Sequence, residues 1–373
     1  SGLRAQICGD AHLSNFGVYG SPERELVFDI NDFDETLPGP WEWDVKRLAA
    51  SFVIAARHNG FGDEVGAELA ERSAEAYRRA MRKFGQARYL DAWYAHLTTD
   101  DIYEAFKDQL SKKERKQSAK SARKARSRDS IQAFSKLTEE VDGEYRIAAQ
   151  HPLIIPARDF PGADESHVEE STRELFLQYV DSVSDHLVPL LARFSFTDVA
   201  LKVVGVGCVG TRCWIVLLKG RDARDPFFLQ LKEASPSVLE DHLPASRYQH
   251  AGERVVVGQR IMQATSDSFL GWTTGSSSGT DYYVRQFRDM KGSIEVEDAN
   301  PDSMRRFATL CGWSLARAHA RSGDARAIGD YLGKGTVFDE AMGRFAVAYA
   351  DQNEEDFARF RSAIERGEIP AHE

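Results

Sequence analysis

The sequence predicts an α+β fold in which one β-rich segment lies between two helical segments. Within residues 197–295, runs of β-branched and aromatic residues alternate with glycine-containing turns, a pattern typical of strands joined by hairpins. Before and after this segment, apolar residues recur three and four positions apart, as on the buried side of helices. The composition changes near residue 197, so we expect the sheet to begin there.

The individual elements follow from the same two patterns. Alternation and β-branched content predict strands at residues 3–8, 25–30, 199–204, 213–218, 227–232 and 281–288. The helical period predicts helices at residues 44–57, 62–84, 87–110, 170–194, 246–265, 302–320 and 337–366. Prolines and a glycine in residues 37–40 predict a turn, and residues 130–165 are expected to be irregular because prolines interrupt them.

The composition excludes several classes of function. A formal net charge of -10 argues against general nucleic-acid binding, which needs a dominant basic surface. No apolar run approaches the roughly 18 to 20 residues needed to span a bilayer, and no signal-peptide pattern is present. The four cysteines show neither metal-ligand spacing nor a disulfide framework, so we expect a reducing, cytoplasmic location. Because the chain starts with Ser1 and not with Met, we also expect a segment upstream.

Residues 112–128 form a basic run with nine Lys or Arg and one Glu. One interpretation is a solvated helix face or a mobile loop, as most charge runs are. The other is a docking surface for an anionic substrate. The run has no interleaved aromatic residues, so base stacking on a nucleic acid is not supported.

The acidic and amide side chains near the start of the chain suit a divalent-metal site beside a phosphate. Asp10 and Asn15 lie in the loop before the strand at residues 25–30, and Asp32 follows that strand. Magnesium at a nucleotide takes oxygen ligands, usually one or two carboxylates together with phosphate oxygens. These three residues therefore form the first candidate site.

A second candidate site lies almost two hundred residues later. Gly205, Gly207 and Gly210 form a Gly-x-Gly-x-x-Gly pattern between two predicted strands, and Lys232 ends the next strand. A glycine-rich hairpin can fold its backbone over a triphosphate, and a lysine on the following strand can pair with phosphates. A tight hairpin without a ligand, followed by an ordinary surface lysine, is the alternative explanation.

Both sites resemble parts of known phosphotransferases. Residues 9–15 (Gly-Asp-Ala-His-Leu-Ser-Asn) resemble the Gly-Asp-x-His-x-x-Asn catalytic loop of aminoglycoside phosphotransferases and choline-kinase-like enzymes. Residues 32–35 resemble their metal-binding aspartate segment, and residues 43–48 (Trp-Asp-Val-Lys-Arg-Leu) resemble the helix start that follows it. The chain as a whole is similar to an uncharacterised bacterial group, domain-of-unknown-function family 2252, which is placed in the kinase-like superfamily.

The resemblance implies a role for each residue of the first site. Asp10 would be the catalytic base that orients the substrate hydroxyl and accepts its proton, and His12 would contact substrate or brace the loop. Asn15 and Asp32 would hold magnesium against the nucleotide phosphates. Asp34, together with its neighbour Glu35, would assist the metal or shape the loop.

The resemblance also implies a role for the second site and for the helix beside the first. Gly205, Gly207 and Gly210 would cover the phosphates, and Lys232 would contact them from the side. Asp44 is expected to have a structural role, with a catalytic role as the alternative. Kinase-like sites hold the strand lysine with a glutamate, for which the candidates are Glu233, Glu240 and Glu253.

Two departures from the related phosphotransferases stand out. Cys8 precedes Gly9, where the related enzymes have histidine. The glycine loop and its lysine also follow the catalytic loop, whereas in ordinary kinases they precede it. A circular permutation would reconcile this order, and it requires the helix at residues 302–320 to end beside residue 9.

The resemblance implies a circularly permuted, protein-kinase-like fold with two lobes. Residues 197–295 would form a small β-rich nucleotide-binding lobe. The large helical lobe would comprise the catalytic and metal-binding part at residues 1–60, a helical part at residues 61–196, and a C-terminal helical part at residues 296–373.

The expected function is that of a phosphotransferase that uses ATP and magnesium. The acceptor would be a hydroxyl of a small molecule, which the sequence does not identify. Two alternatives stay open: a non-catalytic nucleotide-binding regulator of the pseudokinase kind, and a nucleotidyl transferase on the same fold. Neither a nucleic acid nor a membrane is expected as a partner.

Overall fold

The computed structural model describes residues 1–128, 130–160, 165–203, 210–222, 224–275, 278–287, 290–293 and 295–370. Within these residues the strands are β1 Arg4–Ile7, β2 Phe16–Gly20, β3 Leu26–Ile30, β4 Leu37–Pro40, β5 Thr138–Val141, β6 Glu144–Ile147, β7 Ile154–Pro156, β8 Ser195–Lys202, β9 Cys213–Lys219, β10 Pro226–Glu233, β11 Gly271–Thr274, β12 Asp281–Gln286 and β13 Gly292–Ser293. The helices are α1 Trp41–His58, α2 Asp63–Phe84, α3 Tyr89–Tyr94, α4 Thr99–Phe106, α5 Lys112–Arg126, α6 Ser130–Leu137, α7 Glu165–Ser182, α8 Val188–Leu191, α9 Ala251–Met262, α10 Pro301–Ala320, α11 Ala325–Leu332 and α12 Val337–Glu365.

The largest core is helical and joins the two ends of the chain. Helices α1 and α2 pack against α10 and α12, which come more than two hundred residues later. Val45, Leu48 and Phe52, which lie on the predicted apolar side of α1, are all buried here. Trp41 stacks on Tyr77 of α2 with ring centroids 5.5 Å apart. None of the helices within the described residues combines the length and the apolarity needed to cross a membrane.

A six-stranded antiparallel sheet forms the second part of the structure. Its strand order is β11-β12-β10-β9-β8-β7, and the hairpins β8–β9 and β9–β10 join neighbours. The predicted strands at residues 199–204, 213–218, 227–232 and 281–288 correspond to β8, β9, β10 and β12 over the described residues. The combination of helical core and antiparallel sheet is consistent with the predicted α+β class.

Side chains of β10 alternate between the two faces of the sheet, as in any strand. Leu229 and Leu231 face a core that Tyr179 of α7 completes. Phe228 faces the opposite side, where it meets residues of α6. Helix α9 packs against β11 and β12.

The boundary predicted at residue 197 does not separate the sheet from the helical segment before it. Strand β7, at residues Ile154–Pro156, pairs with β8 and so extends the sheet. Helix α7 lies within the same predicted helical part, residues 61–196, yet it packs on the sheet. The sheet needs an apolar cover on this face, and α7 provides it.

Several predictions of local structure were wrong. Residues 37–40 form strand β4, which pairs with β1 from Arg4↔Pro40 to Ile7↔Leu37, because a two-stranded sheet tolerates proline at its edges. The described part of residues 130–165 is not irregular, because it contains α6, the hairpin β5–β6 and β7. The helix expected at residues 87–110 is broken into α3 and α4, because the Thr98 side chain accepts the Asp101 N–H and starts α4. The prediction also missed β2, β11 and α11.

The basic run is folded as α5, and most of its Lys and Arg side chains are exposed. Ser111 and Glu114 form a capping box at its start. Ala125 is buried beside Leu26 and Met290, which attaches the helix to β3 and to the segment after β12. The run is therefore a solvated helix and not a loop.

The end of α10 lies beside β1, which leads into the loop of residue 9. The Gln6 N–H donates to Ser322 Oγ at 2.8 Å. Gly323 is also close to β1, because a β-carbon built there would lie 3.1 Å from the carbonyl oxygen of Arg4. The C-terminal end of α10 and β1 are therefore neighbours in space.

Candidate active site

The loop after β1 carries Gly9 in a conformation that favours glycine. Its φ of +82° lies in the left-handed region, where a β-carbon is strained. A β-carbon at this position would also lie 2.6 Å from the carbonyl oxygen of Glu35. The loop of residues 8–15 and the loop of residues 31–36 therefore touch at their backbones, and a side chain at residue 9 would push them apart.

Asp44, in the first turn of α1, anchors the backbone immediately before Asp10. Its Oδ2 accepts the Cys8 N–H at 2.8 Å, and its Oδ1 accepts the Gly9 N–H at 3.1 Å. The residue is 1% exposed, so it cannot reach a substrate in this arrangement. The geometry agrees with the structural role expected for Asp44.

A histidine and a tyrosine support Asp44 from behind. His319 Nε2 of α10 lies 3.2 Å from Asp44 Oδ2, and its Nδ1 lies 2.9 Å from the hydroxyl of Tyr77. Burial, followed by the Asp44 charge, raises the pKa of the Cys8 thiol well above its ordinary value, so this thiol stays protonated. The imidazole that braces the loop therefore comes from α10, and Cys8 is a buried neutral residue.

Asp10 itself is accessible. Its side chain is 42% exposed, with Arg47 Nε 3.4 Å from Oδ1 and His12 Nε2 3.6 Å from Oδ2. Its backbone is held in place, since the Asn15 Nδ2 donates to the Asp10 carbonyl oxygen at 2.9 Å. An exposed carboxylate on a fixed backbone can accept a proton from a bound hydroxyl. His12 is also accessible, and its contact with Asp10 is compatible with both roles expected for it.

Asn15 and Asp32 each have an oxygen that no described protein group uses. The amide nitrogen of Asn15 must face the Asp10 carbonyl, because only the nitrogen can donate, so its Oδ1 remains available. Asp32 Oδ1 accepts the Asp34 N–H at 3.3 Å, and its Oδ2 remains available. The Asn31 N–H donates to the Asn15 carbonyl at 2.8 Å and keeps the two loops together.

This ligand set fits magnesium only in its nucleotide-bound form. The described residues contain no group of three or more His, Cys, Asp or Glu that could hold a metal ion. A carboxylate and an amide oxygen would leave most of an octahedral shell to phosphate and water, which is how magnesium usually binds at nucleotides. We therefore expect Asn15 and Asp32 to bind magnesium weakly on their own and more tightly with a phosphate ligand.

Lys232 and Asp34 bring the two predicted sites together. The Lys232 Nζ lies 2.6 Å from Asp34 Oδ2, and Lys232 is only 6% exposed. The Tyr283 hydroxyl donates to Asp34 Oδ1 at 2.6 Å. Both oxygens of Asp34 are thus engaged, and its expected help to a metal would require this contact to open. The arrangement places the lysine of β10 beside the loop of residues 31–36, which follows β3 and which we call the acidic loop.

The charge of Lys232 also affects the pKa of Asp32. Burial acts to raise the pKa of the Asp32 carboxyl, but the charges of Lys232 and Arg285 outweigh it and hold this pKa below its ordinary value. Burial likewise opposes the charged form of Lys232, yet Tyr283, Asp34 and Asp32 raise the pKa of its ammonium. At neutral pH the Asp32 carboxylate is therefore ionised, and Lys232 is charged.

Arg254 of α9 fastens the acidic loop to the sheet. One guanidinium nitrogen donates to the Thr36 carbonyl at 2.8 Å, and the other donates to the carbonyls of Asp34 at 2.7 Å and Ser235 at 2.8 Å. These bonds link α9, the loop and the segment after β10. Arg254 therefore positions Asp34 beside Lys232.

None of the three glutamates considered as partners of Lys232 contacts it. Glu233 accepts the Arg212 N–H at 2.9 Å, and Glu240 accepts the Ser237 N–H at 3.4 Å. The backbone N–H of Glu253 donates to His250 in the first turn of α9. The carboxylate that holds the lysine is Asp34, and it comes from the acidic loop and not from the helix after the lysine strand.

The glycine hairpin is described only in part. Gly205 and Gly207 lie outside the described residues. Gly210 forms the turn before β9 with φ of +88°, and a β-carbon there would meet no atom within 4 Å. The strands on both sides of the turn pair as predicted, with Leu201 opposite Trp214.

A polar cleft lies next to Lys232 on the same face of the sheet. Its volume is about 240 Å³, and its lining includes Asn31, Gln230, Arg285 and Lys291. Arg285 Nε donates to Gln230 Oε1 at 2.9 Å. Asn31, at one side of the cleft, directly precedes Asp32 in the chain.

Sequence reasoning missed several residues that complete the site. Tyr283, Arg254, Arg285 and His319 had no predicted role. Tyr283 and Arg254 bond to Asp34, and His319 bonds to Asp44, each across more than two hundred residues of the chain. The charge of Arg285 acts on Asp32 across a similar separation. No local spacing signals such contacts. A signal was available only for Arg285, a cation near the middle of a predicted strand.

The comparisons with known proteins give a family but no activity. The family model described as "Uncharacterized protein conserved in bacteria (DUF2252)" matches residues 1–363. Searches of curated proteins and of solved structures found no match to this chain. Since the match spans nearly the whole sequence, the chain belongs to this uncharacterised bacterial family.

Proposed function

We propose that the protein is an ATP- and magnesium-dependent phosphotransferase of the kinase-like type, acting on a hydroxyl of a small-molecule acceptor. The observation that supports this most strongly is the 2.6 Å contact between Lys232 and Asp34. This contact brings Lys232, on the strand after the glycine hairpin, next to the acidic loop. That loop also contains Asp32, and a backbone hydrogen bond from Asn31 links it to Asn15. A phosphate-binding lysine beside candidate metal ligands is the arrangement that phosphoryl transfer uses.

The proposal includes a kinase-like fold with permuted element order. In support, β8, the glycine turn, β9, β10 with Lys232, and then α9 follow one another as the strands and helix of a kinase small lobe do. The C-terminal end of α10 is next to β1, so the missing covalent link would be short. In this proposal the sheet and its covering helices form one lobe, and the core of α1, α2, α10 and α12 forms the other.

The chain's own residues account for positioning and proton transfer. Asp10 accepts the proton of the acceptor hydroxyl, whose oxygen then forms a bond to the terminal phosphorus of ATP as the bond to the bridging oxygen breaks and ADP leaves. Lys232 neutralises negative charge on the phosphates, and Asn15 and Asp32 supply oxygens to magnesium. Bound magnesium offsets the charge that develops on the phosphate oxygens. Asp44 and His319 keep Asp10 in place.

One observation favours the second candidate, a non-catalytic nucleotide-binding regulator. Lys232 is held by Asp34, and no glutamate of α9 contacts it, unlike the lysine of active protein kinases. If nucleotide binding does not release Asp34, the lysine stays engaged and turnover fails. Nucleotidyl transfer on the same fold is distinguished by its products.

Mass spectrometry of products formed from isotopically labelled ATP tests the proposal. The protein is incubated with magnesium, a ³³P- or ¹⁸O-labelled ATP and a panel of hydroxyl-bearing acceptors. Transfer of the terminal phosphoryl group supports the kinase, and Asp10→Asn should abolish it. Transfer of a nucleotidyl group identifies the nucleotidyl transferase. ATP binding with no adduct on any acceptor identifies the regulator.

A further inference from the structure

Two cations of the cleft lack an anionic partner. The terminal guanidinium nitrogens of Arg285 and the ammonium of Lys291 make no hydrogen bond or ion pair within the described part of the chain. Arg285 uses only its Nε, on Gln230. Lys291 lines the same cleft and carries its charge close enough for Arg285 to act on it. Both cations are thus available to a ligand in the cleft.

The local charges are unbalanced. Asp32 and Asp34 both act on Arg285 and Lys291, and Asp34 is also paired with Lys232 at 2.6 Å. Among the described residues in and beside the cleft, four cations (Lys202, Lys232, Arg285 and Lys291) face three carboxylates (Asp32, Asp34 and Asp267). Repulsion from Arg285 lowers the pKa of the Lys291 ammonium to about 7. Two cations held close together without a matching anion favour the binding of an anionic ligand.

Arg285 and Lys232 lie at different positions along the sheet. Gln230 and Arg285 face each other across β10 and β12, two positions along from the pair of Lys232 and Tyr283. Two residues of a strand span about 7 Å, so Arg285 and Lys232 occupy different positions along the same face of the sheet. Gln230 acts as a positioning residue, since its oxygen orients the Arg285 guanidinium.

We propose that Arg285 and Lys291 form a phosphate-binding subsite in the cleft, separate from the phosphates that Lys232 contacts. A guanidinium binds phosphate through two parallel hydrogen bonds, and a lysine adds a point charge. At roughly 30 Å³ per water molecule, the cleft volume holds a phosphate together with part of the molecule that bears it. The phosphate belongs either to the acceptor or to the donor. The subsite stands on the unpaired cations alone, whereas the transfer of phosphoryl groups near it rests on the proposed function.

Calorimetric titration of the full chain with inorganic pyrophosphate tests the subsite. The wild type should bind at low ionic strength, and Lys291→Met and Arg285→Gln should each weaken binding about tenfold, the loss of one charged contact. Lys334→Met, an exposed lysine between α11 and α12, is the matched control and should bind as the wild type does. Because Lys291 is exposed, its substitution is not expected to disturb folding, and thermal unfolding of each variant checks this.

A second titration identifies the source of the phosphate. With magnesium and a non-hydrolysable ATP analogue at saturation, continued pyrophosphate binding assigns the subsite to the acceptor, and competition assigns it to the donor. If the analogue does not bind but pyrophosphate does, the proposed function fails and the subsite remains. No pyrophosphate binding by the wild type, or equal affinity in Lys291→Met, overturns the subsite.

Discussion

The ammonium of Lys232 and the carboxylate of Asp34 lie 2.6 Å apart, although 198 positions separate them in the chain. The contact couples the sheet to the acidic loop, and the Asp34 charge is one of those that raise the pKa of Lys232. A buried lysine without its partner is strongly disfavoured, whereas a surface ion pair contributes little. The pair should therefore be coupled in stability as well as in function.

A double-mutant cycle with Lys232→Met and Asp34→Asn tests this coupling. We expect the two substitutions to interact by about 1 to 2 kcal/mol in the free energy of unfolding, measured by urea titration. The exposed pair of Glu104 and Lys107, with an N–O distance of 2.6 Å, is the control and should show little coupling. Additive effects of Lys232→Met and Asp34→Asn would show that the contact is not formed in solution.

Asp44→Asn should destabilise the protein by about 3 kcal/mol. The carboxylate accepts two backbone N–H groups in a buried setting, and an amide can accept only through its single oxygen. Glu42→Gln, in the same first turn of α1 but not buried, should change stability by less than about 0.5 kcal/mol. Chemical denaturation measures both variants. A mild effect of Asp44→Asn would mean that the loop before Asp10 is held by other bonds.

Gly9→Ala should cost more than Gly60→Ala, although both glycines have positive φ. A β-carbon at Gly9 would lie 2.6 Å from the Glu35 carbonyl oxygen, while one at Gly60 would meet nothing within 4 Å. Gly60→Ala therefore reports the backbone strain alone, about 1 kcal/mol. Gly9→Ala should lose more stability than this and should also weaken nucleotide binding, because the loops of residues 8–15 and 31–36 must separate to make room for the β-carbon. Equal losses of stability would remove the argument for backbone contact between the loops.

The lowered pKa of Lys291 predicts a pH-dependent stability. Between the folded pKa of about 7 and the ordinary lysine value, the unfolded chain binds more protons than the folded one, so stability rises with pH in this window. Below about pH 7 Lys291 is charged in both the folded and the unfolded state, so its destabilising effect on the folded state is at its maximum. Lys291→Met should therefore be more stable than the wild type at pH 6, and the difference should shrink as pH rises towards 10. Thermal unfolding at several pH values measures this difference, and a difference that stays constant with pH would contradict the assignment.

The elements with strong local patterns were predictable, and those defined by distant contacts were not. Helices α1, α2, α10 and α12 follow from apolar spacing, and β8, β9 and β10 from β-branched content. The break between α3 and α4 and the hairpin β5–β6 were missed although signals existed. Thr98 and Asp101 form a capping box, and Asp142 and Gly143 both have positive φ, as a two-residue hairpin turn requires.

The site divides in the same way. Asp10, Asn15, Asp32 and Lys232 were predicted because their spacing resembles a known motif. The partner of Lys232 was not, since a contact across 198 residues leaves no local pattern. The resemblance suggested a glutamate, whereas the structure uses Asp34, a residue expected near the metal. Arg254 holds the acidic loop by donating to three backbone carbonyls. Only the fold brings Arg254 to these carbonyls, so no local sequence pattern indicates its role.

Calorimetric titration with ATP in the presence and absence of magnesium tests the central claim most directly. The claim is that Asn15, Asp32 and Lys232 form one nucleotide site. The account predicts that the wild type binds ATP, that magnesium strengthens binding, and that Asp32→Asn and Lys232→Met each weaken it at least about tenfold. A folded wild-type protein that binds no ATP with magnesium would contradict the account.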